Sequence, residues 1–199
     1  MALTAKKPEG EDYPILPEGV KLAVCIGLYD LGTQYQKKWD KEIHKVLIVW
    51  ELPEERIEIE KDGEAKDLPR AISKRYTLSL HEKAQLRKDL EAWRGKKFTA
   101  DELEGFDLQN ILGKSCQIQV IHNEVDNKTY ANIAAIMALP KSVQPLQPEN
   151  KPKMFSWEDD SDIPDGTPPW IVDIIKESKE YKTVHGEPIP TEDSDLEPF

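Results

Sequence analysis

Between residues 20 and 139 nearly every apolar run has the length of a strand, and one stretch only has the spacing of a helix. Residues 20–29 (VKLAVCIGLY) are almost continuously apolar, as a strand buried on much of both faces requires. Gly27 within that run allows a bend or bulge. Residues 45–52 (KVLIVWEL) form a second run. It leads through Pro53-Glu54-Glu55 into the alternating Arg56-Ile57-Glu58-Ile59-Glu60, which predicts a hairpin, and then into a turn at Lys61-Asp62-Gly63. Residues 68–80 read as an extended segment that turns into a helix. Ser79 with Glu82 has the capping-box spacing, Leu86, Leu90 and Trp93 share a helical face, and Gly95 supplies a stop. Thr99 with Glu102 repeats the box for a second, shorter helix. Residues 115–122 (SCQIQVIH) and 129–139 (TYANIAAIMAL) then predict two strands joined at Asp126-Asn127-Lys128.

The resulting order is three strands, a helix and two strands, without internal repeat. The fold class it predicts is mainly β with one or two helices, as a five-stranded oligonucleotide-binding (OB) barrel. Residues 1–17, with Pro8, Pro14 and Pro17, read as a flexible lead-in, and residues 18–140 as the domain. Residues 141–199 read as a Pro-rich acidic linker, a short helix near 169–178 and a disordered acidic tail.

Charge is divided sharply along the chain. The net charge is −11 over 199 residues. Residues 154–199 hold 3 Lys or Arg against 13 Asp or Glu, so the rest is close to neutral. Apolar residues are 38% and the mean hydropathy is −0.63, which also predicts appreciable disordered length. Cys25 and Cys116 lie in apolar runs and read as buried small hydrophobes in a reducing compartment. With no signal-type h-region and no run near the ~20 residues of a membrane span, the expectation is a soluble cytoplasmic protein.

Two clusters combine cations with rings. Tyr35, Lys37, Lys38, Trp39 and Lys41 fall in the connection between the first two strands, and Arg70, Lys74, Arg75 and Tyr76 on the third strand. Single-stranded nucleic acid is held in this way, with cations tracking phosphates and bases stacking on aromatic faces. In the predicted barrel both clusters would lie on the binding surface. Local sequence leaves the other reading open, with Trp39 and Tyr76 as packing residues and the lysines as a solvated face. Residues 70–97 hold nine basic and three acidic residues, the one strongly basic stretch of the chain. Trp50 reads as a core residue, with a stacking role as the alternative.

No enzyme pattern emerges. His44, His81, His122 and His185 are scattered without zinc-ligand spacing. Neither glycine-rich phosphate loop occurs. Asp160 and Asp162 have Asp-x-Asp spacing, but in the linker. The expectation is no catalytic residue, no metal and no cofactor.

The acidic run that closes the sequence ends Asp193-Ser194-Asp195-Leu196-Glu197-Pro198-Phe199. A solubilising extension has no use for an exposed aromatic end, whereas a partner's basic pocket does. This segment resembles the tails of single-stranded DNA-binding proteins of bacteria and their phages, through Asp193, Asp195, Leu196, Pro198 and Phe199. Glu197 departs from the pattern by separating the aliphatic residue from Pro-Phe. The segments DLGTQYQKKWDKEIHKVLIVWEL, SKRYTLSLHEKAQLRKDLEAWRG and KTYANIAAIMALP look similar to a phage-encoded group of that type. The resemblance implies a barrel that binds single-stranded DNA in replication and recombination. It also implies a tail that recruits replication and recombination proteins and competes with DNA for the basic groove. A homo-oligomeric state is left open. The alternative from a different class is a non-enzymatic interaction or inhibitory module whose acidic tail occupies a host nucleic-acid-binding surface.

Overall fold

β1 (Gly19–Gln36) organises the molecule because it pairs with three other strands. The computed structural model describes residues 14–61, 63–160 and 162–186. The N-terminal part of β1 pairs antiparallel with β4 (Ser115–Val125), from Gly19 opposite Val120 to Val24 opposite Ser115. Its remainder pairs antiparallel with β2 (Lys41–Lys61), from Val24 opposite Glu51 to Gln36 opposite Lys41. β3 (Glu64–Thr77) and β5 (Lys128–Ala138) complete a sheet of order β3-β2-β1-β4-β5. β6 (Lys153–Phe155) joins β1 in parallel at Gly27–Tyr29. The described residues are therefore mainly β: a six-stranded open sheet, antiparallel except for β6, with four helices. The edges β3 and β5 come within 8 Å Cα to Cα of each other without sharing a ladder.

Local chemistry explains the irregularities. The β1–β2 register shifts between Cys25 and Gly27. A Cβ on Gly27 would lie 2.8 Å from the Tyr29 ring and 3.1 Å from Val49 Cβ, so a side chain there has no room. The hairpin expected at Pro53 does not form. β2 continues to Lys61, and Pro53-Glu54-Glu55 become a bulge between Leu52 and Arg56 in the ladder with β3. Proline lacks the N–H that a ladder needs, and a bulge tolerates that loss without ending the strand. The β4–β5 turn is a two-residue loop, Asp126-Asn127, with φ of 50° and 60°; both lie in the left-handed region that a tight hairpin demands and that Asp and Asn accept.

Helix α1 (Gln85–Arg94) starts later than the Ser79–Glu82 pattern suggests. Its N-cap is Ala84, without a side-chain cap, and Ser79 Oγ instead accepts from the His81 N–H. A turn closed by Ala84 N–H donating to His81 C=O displaces the start. Gly95 ends the helix at φ 66°. The Thr99–Glu102 capping box opens α2 (Ala100–Glu104) with both reciprocal bonds in place. A short 3-10 turn, Leu108–Ile111, leads to β4.

Two cores lie on opposite faces of the sheet. Residues opposite each other in a ladder share a face. The row Cys25–Trp50–Ile72 turns toward α1, where the Trp50 and Trp93 rings lie 5.7 Å apart. Leu28, Val46, Ile48, Leu86, Leu90 and Ile118 fill the same core. Cys25 and Cys116 are buried free thiols within it, and burial pushes the Cys25 thiol up to about 12.

The row Tyr29–Leu47–Arg75 turns the other way. There Tyr29, Leu31 and Leu47 pack against Phe155, Ile171 and Ile175. Phe155 comes from the expected linker, and Ile171 and Ile175 from the helix expected near 169–178, which forms as α3 (Pro169–Lys176). The linker carries β6, α4 (Lys179–His185) follows α3, and all three elements rest on β1. Burying three large apolar side chains is worth roughly 1.5–3 kcal/mol each, enough to hold a Pro-rich acidic segment against the sheet. The end of the lead-in is also part of the fold: Leu16 is buried and its C=O accepts from His122 Nε2. Among the described residues no helix is long and apolar enough to cross a membrane.

Candidate nucleic-acid interface

The β1–β2 hairpin carries the first cluster at its tip. Gln36 pairs with Lys41, leaving residues 37–40 as the turn, and Trp39 N–H donates to Gln36 C=O. Asp40 closes the turn at φ 48° and accepts from the Tyr35 hydroxyl at 2.5 Å. The turn pushes its side chains into solvent. Tyr35 and Trp39 are each 58% exposed, and Lys37, Lys38 and Lys41 are exposed as well. Lys38 Nζ sits 5.3 Å from the Trp39 ring centroid. Among the described residues none of the three lysines has a carboxylate within 4.0 Å. The structure thus brings all five predicted residues of this cluster together on an open surface.

The second cluster is divided by the alternation of β3. Tyr76 is buried, and its hydroxyl donates to Asp89 Oδ2 at 2.8 Å. Burial, then the adjacent Asp89 charge, push that hydroxyl far above the usual tyrosine range, so it stays a donor. Lys74 bonds the same Asp89 oxygen at 2.8 Å, and Gln85 Nε2 donates to the other at 2.6 Å. The Lys74 and Tyr76 bonds clamp α1 to β3, Gln85 holds Asp89 from within α1, and burial leaves Tyr76 no face for a base. Arg70 is engaged too: its Nη1 donates to Pro14 C=O at 2.6 Å and its Nε to Arg56 C=O at 3.4 Å. The reading of Tyr76 as a stacking residue is therefore corrected to a core one, and Lys74 and Arg70 are engaged within the protein, by Asp89 and by two backbone carbonyls.

Arg75 alone of that cluster is exposed and without an ion pair among the described residues. It stands beside Lys45, whose Nζ donates to Thr77 Oγ1 at 3.1 Å. Burial first, and then the Arg75 charge, lower the Lys45 pKa, as expected of two cations forced together. A surface cleft of about 500 Å³ opens here, lined by Lys45, Arg75, Thr77, His81 and Lys83. Sequence reasoning missed Lys45 and His81 as members of the site and met Lys83 only as part of the basic stretch 70–97. The alternation of β2 puts Lys45 on the face of Leu47, but only the β2–β3 register brings it to Thr77 and Arg75.

The basic stretch 70–97 is not one patch. Lys74–Asp89, Arg87–Glu91 and Arg94–Glu102 are ion pairs, and the Arg94 guanidinium stacks over Phe98 and Phe106 at 4.5 and 4.9 Å. Lys41 and Lys45, four residues apart on β2, connect the hairpin tip to the Arg75 cleft over ~13 Å of strand. Trp50 is fully buried, as a core residue. Among the described residues no group of three or more His, Cys, Asp or Glu is placed to hold a metal ion. Asp193, Asp195, Leu196, Glu197, Pro198 and Phe199 lie outside the described residues. No protein-family model, no curated protein and no solved structure matches the chain.

Proposed function

We propose that this chain binds single-stranded DNA without sequence preference, in the manner of the phage single-stranded DNA-binding proteins, and works without catalysis. The observation that carries this reading is Trp39: a tryptophan more than half exposed at a hairpin tip, under a lysine and beside two more. Exposed aromatic faces interleaved with unneutralised cations suit a strand whose bases are unstacked and whose phosphates face the protein. The Lys45–Arg75 cleft continues the cationic path. The approach of β3 to β5 supports reading the sheet as an OB barrel, in which the β1–β2 loop and neighbouring strand faces bind the strand. In this proposal residues 193–199 recruit replication and recombination proteins and compete with DNA for the cationic face.

Tryptophan fluorescence titration with poly(dT) tests the reading. Binding should quench emission, Trp39→Ala should remove part of the quench, and affinity should fall with salt at about 0.7 log unit per phosphate contact per log unit of salt. A full-length chain that neither quenches nor shifts in mobility with poly(dT) at low salt refutes DNA binding. Deleting residues 191–199 should tighten DNA binding at low salt; unchanged affinity refutes the competition.

A further inference from the structure

The face of β3 that carries Arg75 continues along the sheet to a second cleft. Thr77, Arg75, Ser73 and Ala71 alternate onto one side of the strand. Ser73 and Ala71, together with Val49, line a cleft of about 370 Å³ that Trp170 and Lys151 also line. Trp170 is 46% exposed, whereas its neighbour Ile171 and, one turn further on, Ile175 are fully buried. The core of this face is thus filled by the isoleucines and does not require the indole.

The backbone that carries the indole is fixed: Pro168 and Pro169 constrain it immediately before Trp170, and Ile171 anchors α3 directly after it. The neighbouring wall is fastened by Glu51, a fully buried carboxylate on β2 that accepts from the Glu149 N–H, the Asn150 N–H and Asn150 Nδ2 at 2.7, 2.9 and 2.6 Å. Those bonds set the position of Lys151, the next residue, which is exposed and without a carboxylate within 4.0 Å among the described residues. Lys153 Nζ, also on the cleft, is committed to Asp165 C=O at 2.8 Å. The result is an open cleft lined by a half-exposed indole on a fixed backbone and by a lysine without an ion pair among the described residues.

We infer that this cleft takes an unstacked base of a bound single strand, stacked on Trp170, with the adjoining phosphate on Lys151. This rests on the DNA-binding reading and extends it. The segment 149–176 becomes a wall of the interface, and the strand runs from the hairpin tip past Arg75 along the outer face of β3. Charge complementarity at Lys151 and continuity with the Lys45–Arg75 cleft favour this occupant over an uncharged peptide.

The full-length chain, poly(dT) and two variants decide the matter. Trp170→Ala should weaken binding roughly fivefold or more, the loss of one stacked base. Lys151→Glu should lower the salt slope by about 0.7. Photo-crosslinking to bromouracil-substituted DNA should mark the peptide containing Trp170. If Trp39→Ala weakens binding while both cleft variants bind and cross-link as the unaltered chain does, the cleft is not part of the interface and the hairpin reading stands. If the unaltered chain does not bind poly(dT), both fall together. Should Trp170→Ala lower the unfolding midpoint, Lys151→Glu, at an exposed position, decides alone.

Discussion

The Glu180 carboxylate accepts both the backbone N–H and the hydroxyl of Thr33, each at 2.6 Å, and so ties α4 to β1 across 147 residues of chain. Burial raises the carboxyl's pKa, but the two Thr33 donors, the Glu180 backbone N–H and the His44 charge together outweigh it, and the net shift is downward. The approach depends on Gly32 at φ 66°, since a Cβ there would lie 2.5 Å from a Glu180 oxygen and 2.7 Å from Ser178 Cβ.

Glu180→Ala should therefore destabilise the fold by about 1–2 kcal/mol, after allowing for partial solvent screening of the pair. Gly32→Ala should cost about as much or more, because it adds a left-handed backbone penalty to the collision. Urea denaturation of both variants checks this. Equal midpoints for Gly32→Ala and the unaltered chain would mean that α4 does not bear on β1 as described.

Trp39 and Tyr76, both predicted DNA contacts, should separate cleanly. Trp39→Ala should lower poly(dT) affinity roughly fivefold or more without moving the unfolding midpoint. Tyr76→Phe should do the opposite, costing about 1 kcal/mol of stability through the lost bond to Asp89 while leaving affinity unchanged. Paired titration and melting experiments read both effects.

Glu51→Ala should leave three donors on residues 149 and 150 without their acceptor, at a cost of about 2–4 kcal/mol. Hydrogen exchange at the amides of Glu149 and Asn150 should rise with it. Protection unchanged at those two amides would contradict the role assigned to Glu51.

His44 gives the fold a pH dependence. Its Nε2 lies 2.6 Å from Asp30 Oδ1, and that hydrogen bond, outweighing burial and aided by the charges of Asp30, Glu180 and Glu158, raises its pKa. A pKa raised on folding gives stability that is fully present below the unfolded value of about 6.5 and lost as pH rises through the folded one. The denaturation midpoint should thus fall as pH rises from about 6.5 through the raised His44 value, and His44→Gln should flatten that slope.

Salt provides a further separation. Arg75→Glu should reduce the salt slope for poly(dT) by about 0.7, whereas Arg70→Gln, with its guanidinium already engaged by Pro14 and Arg56, should change it little. Fluorescence titrations at several salt concentrations give both slopes, and equal slopes for Arg75→Glu and the unaltered chain would remove Arg75 from the interface.

The sequence by itself determined the cores of β1, β4 and β5, the helix ending at Gly95, the Thr99–Glu102 box, the Asp126-Asn127 turn and the grouping of cations with rings between the first two strands. Each rests on residues close together in the chain, where spacing and backbone preference act directly. Tertiary structure alone decided which cations are free. Lys74 and Tyr76 fit the same local pattern as Arg75, yet Asp89, brought across from α1, takes both of them. It also decided the fate of the segment beyond residue 140. The run around Ile171 and Ile175 signals a short helix but not what covers it, and Phe155 stands among acidic and proline residues; the three become a core only because β1 presents Tyr29 and Leu31 on its second face. Burial is a property of two surfaces meeting, and the sequence of either one contains only half of it.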